Sequence, residues 1–149
     1  MKLKSFLVTM MSAVVLLGPQ LSFAWDPNTE QRGWVDALVI PGGYPGAIFG
    51  PSQTVNIRGW ACVRPDLPGY GVPPTSLAVY QGTRPFGVRV GILEVQYVVS
   101  RSDVVAGGAC ASYNNGFSIW VVYNGGPRSY YVDYLGPYGA TPLEGQTTF

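Results

Sequence analysis

Two cysteines, Cys62 and Cys110, are the residues of this chain best suited to covalent chemistry, and the chain has no histidine. Without an imidazole there is no Ser-His-Asp or Cys-His triad to activate a nucleophile. Two thiols without histidine also cannot complete a tetrahedral zinc shell unless carboxylates help. In an exported chain an even cysteine count reads as a disulfide. Bridging would close a loop of about 49 residues, worth roughly 4 kcal/mol in the chain-entropy model. It would also remove both sulfurs as nucleophiles. The remaining candidates are carboxylates, which in pairs hydrolyse glycosides. Asp36, Asp66, Glu94, Asp103 and Asp133 are available, but no spacing brings two of them together. Asp103 has a structural use as a helix-capping residue, and Glu94 sits where a strand irregularity needs a polar side chain. Gly42-Gly43 and Gly107-Gly108 lack the spacing and the following helix of a phosphate-binding loop. The chain is therefore expected to be no enzyme, with no catalytic residue, no metal and no cofactor.

The richer material is aromatic. All ten tyrosines lie beyond the first 24 residues, more than one small core hides. Tyr80 and Tyr131 have the parity opposite to the apolar face of their strands. Tyr44, Tyr70, Tyr113 and Tyr138 fall in turn-rich segments. Exposed tyrosine suits stacking on sugar rings and protein interfaces, because it offers large area at low entropy cost. Tyr80, Tyr131 and Tyr113 are the candidate ligand contacts, weighed against the plainer role of tyrosine as cover for a sandwich. Trp60 is expected in the core beside the disulfide.

These residues need elements to hold them, and the elements read as strands. Lys2 and Lys4, an uncharged apolar run from Phe6 to Leu17, the Gly18-Pro19 break and Ser22-Phe23-Ala24 resemble a secretory signal cut after Ala24. The apolar run is about a dozen residues, against the roughly 20 that cross a bilayer. The mature part then keeps seven arginines against eight acidic residues and no lysine. So balanced a charge argues against nucleic acid and against docking on anionic lipid.

Beyond a loose lead-in at 25–32, short runs rich in Val, Ile, Tyr and Trp alternate with Gly- and Pro-rich turns. Strands are expected at Trp34–Ile40, Val55–Val63, Thr75–Gln81, Gly87–Val99, and along Phe117–Tyr123 and Tyr130–Tyr134. The parity of the apolar residues switches within Gly87–Val99, which places a bulge or break near Gly91–Glu94. Ser100-Arg101-Ser102-Asp103 matches a capping box with Ser100 as cap, so one helical turn is expected before Gly107-Gly108. Asn124-Gly125-Gly126 reads as a hairpin turn. The stretch 136–149 is expected to be a flexible tail. An outer-membrane barrel is rejected despite the terminal Phe149, since six or seven strands fall below the eight-stranded minimum.

The series Gly59-Trp60-Ala61-Cys62, Thr75-Ser76-Leu77-Ala78-Val79-Tyr80, Ser100-Arg101-Ser102-Asp103-Val104, Cys110 and Gly116-Phe117 resembles an immunoglobulin-like module of exported bacterial proteins. Trp34-Val35-Asp36 matches its opening strand. The likeness spans residues 33–135 and implies an all-β, antiparallel, immunoglobulin-like sandwich of about seven strands with a Cys62–Cys110 bridge. It implies no catalytic residues. Val63 stands where the family favours an acidic residue, and the loop 64–74 is longer. The resulting expectation is a periplasmic or secreted binding or structural module with an unknown protein as partner, and no membrane insertion once the signal is removed. The alternatives are a glycan-binding module that uses its tyrosines and a small carboxylate-dependent hydrolase.

Overall fold

Apolar residues that alternate with period two put one face of each strand into a shared core, and here two such faces meet. The structure is a computed structural model that describes residues 30–40, 52–70, 76–145 and 147–148, with the backbone alone at 93–98. The expected signal segment at 1–24, positions 25–29 of the lead-in and Tyr44 lie outside the described residues. In chain order the elements are β1 (Gln31–Val39), β2 (Thr54–Val63), β3 (Leu77–Gln81), β4 (Val88–Arg89), β5 (Ile92–Val99), α1 (Ser102–Ala106), β6 (Gly116–Val122), β7 (Tyr130–Gly136), β8 (Gly139–Pro142) and β9 (Glu144–Gly145).

One sheet has the order β5-β6-β2-β1-β9 and the other β4-β3-β7-β8. The first, second, fifth and sixth strands thus share a sheet, and the third, fourth, seventh and eighth share its partner. That division is the immunoglobulin order with one added strand at the edge of each sheet, β9 in the first and β4 in the second. Neighbours pair antiparallel except β1 with β9, which run parallel. The chain leaves the second sheet after Pro142 and joins the first through β9, with Leu143 buried at the crossing. Val35, Ile57, Phe117, Ile119 and Val121 of the first sheet face Leu77, Val79, Tyr130, Val132 and Tyr134 of the second in one core.

A second, smaller core lies on the outer side of the first sheet. Trp60 and Cys62 alternate with the inward Ala61 and Val63, so they point away from the main core. Val104 of α1 and Cys110 cover them, with Trp34 and Ala109 packed alongside. The Cys62–Cys110 disulfide locks this cover down across a sequence separation of 48. Trp60 is a buried residue beside the bridge, as its sequence context implies.

Several local expectations require correction. Asn124-Gly125-Gly126 is no hairpin: β6 and β7 belong to different sheets, so these residues carry the chain across the sandwich. Both glycines do adopt positive φ. The crossing is pinned by the Gln81 amide, which donates to Gly125 O and Pro127 O, and by Tyr123 Oη donating to Gly126 O. Ser100 does not cap α1. Arg101 occupies the N-cap position without a side-chain cap bond, and Asp103 pairs with the Arg101 guanidinium instead of closing a capping box.

The lead-in is shorter than 25–32, because β1 already begins at Gln31. Within the expected tail at 136–149, residues 136–145 are not loose: β8 and β9 lie there, and Leu143 is only 2% exposed. The phase switch in 87–99 is real. The chain passes from the second sheet to the first between β4 and β5, and a register shift follows between Ile92 and Glu94.

Candidate functional site

Tyr80 and Tyr131 stand directly opposite each other on β3 and β7, both on the outer face of the second sheet. Their rings stack with centroids 4.7 Å apart and 12° between planes. The loop after β3 then folds over them. Arg84 places its guanidinium 4.4 Å from the Tyr131 ring centre and donates to Asp133 Oδ1 (2.5 Å) and Val132 O (2.9 Å). Gly87 sits so close to the same ring that any side chain there would collide with it.

Tyr131 is consequently 7% exposed, which corrects its expected role as a solvent-facing ligand contact. Its parity is outward, but the loop supplies a cover that parity does not encode. Tyr80 is half-buried beside it, and Tyr113 is exposed in the loop before β6 of the other sheet. The three tyrosines do not converge on one surface. Tyr131→Ala should therefore cost about 2 kcal/mol of burial and lower the thermal midpoint by roughly 5 °C or more. A melting curve indistinguishable from wild type would restore the solvent-facing assignment.

The exposed apolar surface lies at the free edge beside that loop. Phe86 is 88% exposed and Val88 is 73% exposed. They line a groove of about 450 Å³ with Arg89 and Val90, against Gln81 and Asn124. β4 is the terminal strand of its sheet. Val90 N donates to Val79 O, so the alternation of an antiparallel ladder turns the N–H and C=O of Arg89 outward, toward solvent. Arg89 itself makes no ion pair among the described residues. Sequence reading singled out neither Phe86 nor Val88. The available signal was Pro85-Phe86-Gly87, an aromatic inside a turn with no strand to bury it.

The structure also joins two carboxylates that sequence spacing left apart. Arg101 binds Asp103 through both arms of its guanidinium (2.9 and 2.6 Å) and reaches Asp36, next to the β1 bulge, with Nη1. This clamp ties α1 to β1. The Arg101 hydrogen bonds hold the Asp103 carboxyl below its ordinary value. Burial pushes Asp36 up, and the bond from Arg101 opposes that.

A depressed folded pKa adds stability above the unfolded value, near 3.9, and that stability is lost as pH falls through the folded value. For Asp36 the raised folded pKa works in the opposite sense, which makes Asp103 the acid-sensitive half of the clamp. Asp103→Asn should cost about 0.5 kcal/mol at neutral pH, since the pair is largely solvated. It should also flatten the loss of stability as pH falls below about 4. Urea midpoints measured across that range decide it, and an unchanged acid limb would contradict the assignment.

No group of three or more metal-binding side chains occurs among the described residues, and no described helix is long and apolar enough to cross a membrane. The bridged cysteines fit an oxidising environment. No family model, no curated protein and no solved structure matches the chain, so its immunoglobulin-like order is read from the strand pairing itself.

Proposed function

We propose that this chain is an exported, non-enzymatic protein-binding module that takes up an extended segment of its partner along the β4 edge. The observation that carries the reading is the conjunction at that edge of Phe86, Val88 and the outward backbone of Arg89. An added strand would satisfy the free backbone groups, and its alternate side chains would find an apolar groove and one unpaired cation. The partner strand thus alternates apolar residues with an acidic one. The edge is only two residues long and carries a charge, both of which restrain open-ended sheet growth. The glycan reading loses its stacking platform with the covered Tyr131. The hydrolase reading is weakened because Arg101 occupies both oxygens of Asp103 and also engages Asp36.

A capped peptide of alternating valine and glutamate is the probe. Its addition should shift the amide resonances of Val88 and Arg89, and Phe86→Ser with Val88→Thr should weaken binding about tenfold, the loss expected for about 1.4 kcal/mol of apolar contact. Shifts confined to other surfaces would sink the proposal. Concentration-dependent dimerisation abolished by the same substitutions would replace the foreign partner with a second copy of the chain.

Export rests on the signal-like start and on the oxidised cysteines. N-terminal sequencing of the exported protein should begin at Trp25. Recovery of Lys2 and Lys4 in a membrane fraction would show an uncleaved anchor instead.

A further inference from the structure

The outer face of the first sheet carries a groove, well away from the β4 edge, whose central cation Arg58 is held in place and has no ion-pair partner among the described residues. The groove measures about 390 Å³ and is lined by Asp36, Ala37, Arg58, Val99, Arg101 and Ser118 among others. Arg58 lies on β2 opposite Ser118 of β6 and Ala37 of β1, all three on the outward parity. Beneath it sits Asn56, which has no exposed surface.

A fully buried amide on the outer side of a sheet must satisfy both ends of its side chain. Asn56 Nδ2 donates to Ser118 Oγ (2.8 Å) and to Ile119 O (3.3 Å), and Asn56 Oδ1 accepts from Arg58 Nε. The relay Ser118–Asn56–Arg58 therefore fixes the plane of the guanidinium. No other group among the described residues bonds Arg58, so both terminal nitrogens are without a partner among them. This sets Arg58 apart from Arg101, Arg84 and Arg64, each of which spends its charge on an aspartate.

We infer that Arg58 is a carboxylate-binding site and that its ligand is the side chain of an aspartate or glutamate on a peptide. A planar guanidinium with two free, parallel N–H donors matches a carboxylate in bidentate geometry, and anchoring through Nε removes part of the ordering cost. Asp36 does not compete for it, because Arg101 already binds that carboxylate. The hydroxyl hydrogen of Ser118 provides a further donor at the groove floor, since its oxygen accepts from Asn56. Side walls of Ala37 and Val99 suit the methylene stem of an acidic residue. A sugar acid would need a flat ring face to stack on, and Phe117, the aromatic lining this groove, is buried within the main core. The inference shares the protein-binding reading above but uses a different surface, so each can fail without the other.

The test is an NMR titration of the mature protein that follows the Arg58 side-chain Nε–H resonance. The probes are N-acetyl-glutamate N-methylamide, its uncharged glutamine counterpart and glucuronate. The glutamate probe should shift the resonance saturably and the glutamine probe should not. Arg58→Gln should weaken the glutamate probe about tenfold or more. Arg58→Lys, which keeps the charge and loses the fork, should give an intermediate loss. Asn56→Ala should weaken binding with Arg58 still present, provided the spectrum stays dispersed. Equal shifts from the glutamine probe, wild-type binding by Arg58→Lys, or a preference for glucuronate would each overturn the proposal. Val88 and Arg89 amides that respond to the valine–glutamate peptide while Arg58 stays silent would overturn this inference and leave the edge reading standing.

Discussion

Removal of the Cys62–Cys110 bridge is expected to lower stability by about 4 kcal/mol, the chain-entropy value for a closed loop of nearly fifty residues. For a domain of roughly 100–150 residues that is a drop of more than roughly 10 °C in the thermal midpoint. The bridge does more than close a loop. It fastens the end of β2 to the segment between α1 and β6, and it completes the small core of Trp60, Val104 and Trp34 on the outside of the first sheet. The double substitution Cys62→Ala with Cys110→Ala should therefore free α1 first. Amide exchange should rise at Val104 and Val105 before the strands of the main core respond. A uniform rise across both sheets would show that this outer layer has no separate stability.

Phe117→Ala should be comparably severe, at about 3–5 kcal/mol. Phe117 is 1% exposed and fills the space above Gly59 on the neighbouring strand, where a side chain at Gly59 would collide with its ring. The glycine and the phenylalanine are one packing unit across β2 and β6. Truncating the ring leaves a cavity at the centre of the first sheet that Gly59 cannot fill. Chemical denaturation of the variant measures the cost. A loss below about 1 kcal/mol would mean that the two sheets do not meet at this residue.

Much of this architecture is written in period two. Phe117, Ile119, Val121 and Tyr123 alternate into the core, as do Tyr130, Val132 and Tyr134, and both sets stand out in the sequence. Which sheet each strand joins does not. Asn124-Gly125-Gly126 has the composition of a hairpin, yet it crosses the sandwich because Gln81, distant in sequence, holds it from the opposite strand.

The ends of the domain are hidden for a related reason. Gln31 is buried although polar. Its amide donates to Gly139 O and Thr141 Oγ1 and its carbonyl accepts from Tyr138 N, contacts that exist only once the far end of the chain has docked. The closing strands have almost no apolar pattern beyond Leu143. Backbone pairing and the positive φ of Gly145 hold them in place.

The candidate sites are less legible still. Tyr131 has the outward parity its sequence implies, and a loop covers it. Phe86 lies in a turn that parity does not describe. Asn56 reads as one more polar residue in a strand until Ser118 and Arg58 are placed on either side of it.

The claim that this is a protein-binding module is tested most directly by an unbiased selection on the mature, oxidised domain, run in parallel on a displayed peptide library and on a glycan array. The account predicts enriched peptides that alternate apolar and acidic residues, and it predicts that Phe86→Ser with Val88→Thr abolishes the enrichment. Glycan hits that survive those substitutions but vanish with Tyr80→Ala would contradict it and return the tyrosines to the ligand-binding role.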